Sequence, residues 1–166
     1  QRVSDTDQAV ALLDEARIAC NVTLYSPDDR SDNTNDATLV LPDDGTGHVV
    51  VLSVMVMNIG ESDLANVTVS SPALTALGCT NLPAPFPLPI GMAAKVTLCQ
   101  TLIACPPPLT DLVLTVTGQA STNSGCVYTT NGTPVQVRSE CPGTITCESP
   151  GNCRVTGGGR QEDTWP

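Results

Sequence analysis

Aromatic side chains are almost missing from this chain. Of 166 residues, only Tyr25, Phe86, Tyr128 and Trp165 are aromatic, so a core has to be assembled from Val, Leu, Ile and Ala without large anchors. The same scarcity weakens a sugar-binding reading, because sugar platforms stack on Trp or Tyr. Lysine occurs once, at Lys95, and histidine once, at His48. With a net charge of −10, the protein would be repelled by a phosphate backbone and by an anionic lipid surface, which argues against nucleic-acid and membrane-surface partners. No apolar run reaches the roughly 18 residues that a membrane-crossing helix needs. No signal peptide is present either, and Gln1 is compatible with a processed mature end.

Metal-ligand spacing is also lacking. There are eight cysteines but no Cys-x-x-Cys pair, and a single histidine cannot supply a Cys/His cluster of the structural zinc type. An even number of cysteines without such pairs points to disulfides and an oxidising, extracellular compartment. Cys20, Cys79, Cys99, Cys105, Cys126, Cys141, Cys147 and Cys153 allow about 105 connectivities, which spacing alone does not resolve.

What the chain does have is β-strand patterning. In Val49–Met57, Val50, Leu52, Val54 and Val56 share one face while Val51, Ser53, Met55 and Met57 share the other. After Asn58-Ile59-Gly60-Glu61-Ser62-Asp63, a stretch of turn formers, Leu64, Val67 and Val69 alternate with polar neighbours. This predicts two strands of a half-buried antiparallel sheet, paired as a hairpin. Further strands are expected at Ile18–Tyr25, Ala37–Leu41, Ala94–Cys99 and Asp111–Ala120. A hairpin of Cys126–Tyr128 with Pro134–Ser139 is expected around Asn131-Gly132. The proline-rich stretch from Pro72 to Gly91 suits a rim or an edge, since proline has no ladder donor, and Cys105-Pro106-Pro107-Pro108 marks a rigid corner. About seven strands with turns every 8 to 12 residues predict an all-β, immunoglobulin-like antiparallel sandwich over residues 18–141. Residues 1–17 form an N-terminal arm or short helix, with Ala9, Leu12, Leu13 and Ala16 on one face. Residues 142–166 form a Cys- and Gly-rich tail.

Candidate chemistry is sparse. The acidic loop Asp28, Asp29, Asp32, Asn33, Asn35 and Asp36, with Asp43 and Asp44 nearby, offers hard oxygen donors for calcium, although the EF-hand glycine and terminal glutamate are missing. A solvated acidic loop is the plainer account. Three Asn-x-Ser/Thr sequons begin at Asn21, Asn66 and Asn131, and such triplets arise readily in an Asn- and Thr-rich chain. His48 lies beside Asp43 and Asp44, but a Ser-His-Asp hydrolase needs a buried, mutually oriented trio. A structural role for His48 is the expectation, and no catalytic residue is assigned.

Residues 48–120 resemble the "conserved repeat" immunoglobulin-like domain of bacterial and archaeal surface proteins. The resemblance lies in Asn58-Ile59-Gly60, Leu64-Ala65-Asn66-Val67-Thr68-Val69, the Gly91–Cys99 strand and the closing strand Leu112–Ala120. It implies a Cys79–Cys99 disulfide and a role as a surface or adhesion module without catalysis. The first 47 residues and the cysteine-rich tail depart from that pattern.

The expectation is therefore a secreted, non-catalytic structural protein of a microbial cell surface, with no required cofactor. It would self-associate into a filament or stalk by strand complementation, with residues 1–17 or 154–166 as donor. The rival is a loop-based calcium- or carbohydrate-binding adhesion module of a larger surface protein.

Overall fold

The computed structural model describes residues 15–27, 37–108, 110–121 and 133–149. Eight strands and one short helix follow one another as β1 Ile18–Tyr25, β2 Thr38–Pro42, β3 Gly47–Asn58, β4 Leu64–Ser70, α1 Pro72–Ala76, β5 Phe86–Leu88, β6 Ala93–Ala104, β7 Asp111–Ala120 and β8 Gln136–Glu148. The fold is all-β. A three-stranded sheet has the order β1-β3-β6, and a five-stranded sheet has the order β2-β8-β7-β4-β5.

The core follows the alternation in the sequence. Val50, Leu52, Val54 and Val56 of β3 are buried, together with Val22 and Leu24 of β1. Across from them lie Leu64, Val67 and Val69 of β4, Leu112, Leu114 and Val116 of β7, and Ile145 of β8. Each strand turns one face to the shared apolar layer, as a period of two requires. Branched aliphatic side chains fill the interior, and the one aromatic packed against it, Phe86, is only partly buried.

Three features differ from the expectation. The first is pairing: β3 and β4 are not a hairpin but belong to different sheets. The connection rolls the chain over the core, so the apolar faces of β3 and β4 meet instead of their edges. A hairpin and this arch have the same residue alternation, so periodicity cannot separate them. The second is strand direction: β2 runs parallel to β8, with Thr38 opposite Thr144 and Pro42 opposite Glu148. The larger sheet is therefore mixed, and the strands number eight rather than about seven.

The third concerns the end of the sheet. β8 continues through Pro142 and Gly143 to Glu148, beyond the expected end at residue 141. The physical reason is local. Thr144 donates its N–H to Ala37 on the β2 side, whereas Ile145 donates to Thr110 on the β7 side. Pro142 has the parity of Thr144, and β2 pairs with β8 only from Thr144 onward. The missing N–H of Pro142 thus faces a place with no strand, and no ladder bond is lost.

The stretch from Pro72 to Gly91 behaves as a rim with one edge strand. Ser71 caps α1, its Oγ accepting from the Ala73 N–H at 3.1 Å, with Pro72 in the first turn. β5 is an edge strand of only three residues. The loop 28–36, the Asn131-Gly132 turn, residues 1–14 and the segment from residue 150 onward lie outside the described residues.

Candidate functional site

The polar residues flagged in the sequence separate into a structural turn and exposed side chains. His48 is 7% exposed. Its Nε2 lies 3.0 Å from the Pro42 carbonyl oxygen and 3.2 Å from Asp44 Oδ1. Both partners are acceptors, so Nε2 carries the proton and donates to them. Asp44 also accepts from the Thr46 hydroxyl at 2.7 Å and the Thr46 N–H at 2.9 Å. These Thr46 hydrogen bonds, with the His48 imidazole beside them, hold the Asp44 carboxyl below its ordinary value of 3.8. The cluster closes the β2–β3 turn. It contains no serine within the hydrogen-bonded set, so it has the chemistry of a turn lock.

Asn21 and Asn66 are both exposed, on β1 and β4; Asn131 lies outside the described residues. So do Asp28, Asp29, Asp32, Asn33 and Asp36 of the proposed calcium loop. Among the described residues no group of three or more His, Cys, Asp or Glu is placed to hold a metal. Also among them, no helix is long and apolar enough to cross a membrane.

Asn58 has a larger structural role than sequence reasoning gave it. It is 2% exposed. Its Nδ2 donates to the Ser62 carbonyl at 2.8 Å and the Leu88 carbonyl at 3.0 Å, and its Oδ1 accepts from the Gly60 N–H at 3.1 Å. One side chain therefore fastens the β3–β4 arch and ties it to β5. Gly60 is required for a different reason: a Cβ there would collide with the backbone of residues 15–17. Those residues extend the β1–β3 pairing, with the Glu61 N–H donating to the Glu15 carbonyl at 2.9 Å. The Asn-x-Gly spelling was visible in the sequence; the inward turn of Asn58 was not.

Three disulfides are present among the described residues. Cys79 is bonded to Cys99, Cys20 to Cys141 and Cys105 to Cys147, with Cα–Cα distances of 5.4, 5.7 and 6.0 Å. These separations are ordinary for disulfides. Intramolecular bridges of this number fit an oxidising environment. Cys20–Cys141 joins β1 of the small sheet to β8 of the large one, and Cys105–Cys147 does the same just beyond the end of β6. Cys126 and Cys153 lie outside the described residues.

Strand edges are the remaining candidates. β1 is flanked by the Cys20–Cys141 bridge, and Val22 fills the space where a side chain on Gly143 would go. β2 is five residues long and ends in Pro42. On β5, Pro87 has no N–H, and Pro85 and Pro89 flank the strand, so its outer side offers no donors. β6 differs from all of these. It is twelve residues long and free of proline, and its only strand neighbour among the described residues is β3.

The open part of β6 can be located. A register shift at Leu52/Ser53 places an extra residue on β6, and the inward-facing positions switch from Val96 and Leu98 to Thr101 and Ile103. Past this bulge the edge is occupied, because Thr101 Oγ1 donates to the Leu77 carbonyl at 2.8 Å and Cys99 is bridged to Cys79. Before it, the Asn58 N–H donates to the Met92 carbonyl at 3.0 Å. That bond sets the parity of the strand: Ala94 and Val96 turn their backbone groups toward β3, while Ala93, Lys95 and Thr97 turn theirs outward. Ala94 and Val96 point inward yet remain half-buried, whereas Val54 and Val56 opposite them are fully buried. Among the described residues, no strand covers this side.

Two depressions lie among the described residues. A shallow one of about 360 Å³ lies between α1 and β7, lined by Ser71, Pro72, Ala73, Ala76, Asp111 and Val113. Its Ser71 hydroxyl is engaged as a helix cap. The other, of about 160 Å³, is lined by Glu15, Arg17, Ile59, Gly60 and Glu61. No protein-family model, no curated protein and no solved structure matches the chain.

Proposed function

We propose that this chain is a non-catalytic, secreted structural protein of a microbial cell surface. Copies join into a filament or stalk when a terminal segment of one adds a strand to the sheet of the next. In this reading the two sheets form an immunoglobulin-like sandwich enlarged by the parallel β2–β8 pair. The observation that carries the reading is the side of β6 from Ala93 to Leu98, where the outward backbone groups of Ala93, Lys95 and Thr97 have no strand partner among the described residues. An added strand would also cover the half-buried Ala94 and Val96.

The other edges support this choice by being shortened, capped with proline or occupied, which are the usual defences against stray pairing. Lys95, the only lysine of an acidic chain, sits at the centre of the open edge. It disfavours random apolar stacking there while favouring an acidic donor. Residues 1–14 carry Asp5, Asp7 and Asp14 against Arg2, and so suit the site in charge. The resemblance of residues 48–120 to surface repeats points the same way.

Electron microscopy and sedimentation of the full chain and of a chain lacking residues 1–14 test the proposal. Polymers from the first and monomers from the second are expected. Monomers from both preparations would overturn it.

A further inference from the structure

The described chain enters and leaves the sandwich at opposite ends. Ile18, the start of β1, lies opposite Asn58 at the end of β3. Glu148, the end of β8, lies opposite Pro42, and the Pro42 carbonyl is against His48 at the start of β3. The two exits are thus separated by about the ten residue steps of β3 from His48 to Asn58, roughly 33 Å at 3.3 Å per residue. Tension applied through the flanking segments would run along the strands.

Between those exits the shortest covalent route avoids nearly the whole fold. It runs two residues from Ile18 to Cys20, crosses the bridge to Cys141, and runs seven more residues to Glu148. Both segments are extended strand and both advance in the same direction along the sandwich. Nine residues of strand plus a Cα–Cα step of 5.7 Å span roughly 35 Å, close to the separation of the exits. The route is already nearly taut. The 120 residues between Cys20 and Cys141, a sequence separation of 121, lie off it.

We propose that the Cys20–Cys141 bridge makes this protein an inextensible tension link. Load applied anywhere before Cys20 and after Cys141 passes through the disulfide, and the sheets between them neither unravel nor lengthen. Hydrogen-bonded ladders alone would yield under sustained load and release the chain. The inference goes beyond the assembly reading and does not depend on it, since the bridge carries load whatever is attached at the two ends. A binding module held between neighbouring domains of a longer chain would be protected in the same way.

Single-molecule force spectroscopy on the full chain, held by handles at its two ends, tests this. The oxidised protein is expected to show no unfolding release from the 121-residue interval. With dithiothreitol present under constant force, cleavage of Cys20–Cys141 is expected to be followed by a release of roughly 20 nm, reaching roughly 40 nm once Cys79–Cys99 and Cys105–Cys147 are also reduced, from about 0.36 nm per residue. In the double variant Cys20→Ser/Cys141→Ser, release without reductant is expected to be about half that full length. There Cys79–Cys99 and Cys105–Cys147 still bypass part of the chain. A release of tens of nanometres from the oxidised native protein would overturn the proposal. The reductant arm uses the native chain, so the question is answered even where the variant folds poorly. Polymer formation is not read out at all, which keeps this test separate from that of assembly.

Discussion

Asn58 shows how much of this fold hangs on single polar side chains. Its hydrogen bonds to the Ser62 and Leu88 carbonyls are buried and that from the Gly60 N–H is part-buried, so truncation removes a donor from two carbonyls and an acceptor from one N–H. Asn58→Ala is expected to cost about 3 kcal/mol in urea denaturation, since each orphaned buried group costs roughly 1–3 kcal/mol and water recovers part of the loss. Asp44 acts at the other end of β3 and at the surface. Its carboxyl is held below 3.8 by the Thr46 hydrogen bonds first and by His48 second. A group whose folded-state pKa is depressed contributes stability that is present above its unfolded pKa and lost as pH falls through the lower folded value. The stability gap between the native protein and Asp44→Asn is therefore expected to be constant above about pH 5 and to close below pH 3.8. Denaturation midpoints measured across that range check it. A structural role for His48 near Asp44 is legible in the sequence, but the hydrogen bonds that join them across the turn and the inward anchoring of Asn58 are not.

At the scale of elements, β6 carries the testable distinction. Lys95 directs its backbone outward and Val96 directs its backbone to β3, as the Asn58–Met92 bond requires. Lys95→Pro is expected to leave the fold intact and abolish polymers, with Lys95→Ala controlling for the lost charge. Val96→Pro removes a ladder donor and is expected to lower stability by roughly 1–3 kcal/mol, the cost of leaving its β3 partner carbonyl unsatisfied. Circular dichroism melting together with electron microscopy separates the two effects. The strand itself was legible in the sequence as Ala94–Cys99, but its extension to Ala104 was not. The bulge flips the inward face after Leu98, so no single alternation spans Ala93–Ala104. β4 shows the same effect on a smaller scale. Asn66 adopts φ 51° where the pairing shifts between Ala65 and Thr68, which lets Leu64 and Val67 both face inward despite their odd spacing.

The whole molecule is held by covalent bonds between its sheets as well as by an aliphatic core. Cys20–Cys141 closes a loop of 121 residues and Cys79–Cys99 one of 20. If chain entropy dominates, opening the longer loop costs more. Cys20→Ser/Cys141→Ser is expected to lose about 4 kcal/mol and Cys79→Ser/Cys99→Ser about 3 kcal/mol. Guanidinium denaturation of the two variants gives the ranking, and an inverted order would show that native-state strain or packing outweighs loop entropy.

Composition and alternation alone determined that this chain is all-β, that its interior is aliphatic, and that cysteines pair in bridges, as the six described ones do. Those properties depend on which side chains seek burial and at what period, and both are local. Tertiary structure decided the rest. It placed β3 and β4 in opposite sheets, ran β2 parallel to β8, joined Cys20 to Cys141, and left one proline-free edge without a neighbour among the described residues. Each of these depends on which distant segments meet, and residues 20 and 141 carry no local mark of each other. Pairing partners are selected by how the whole aliphatic surface closes over itself, so the same alternating strands that announce a sheet leave its topology open.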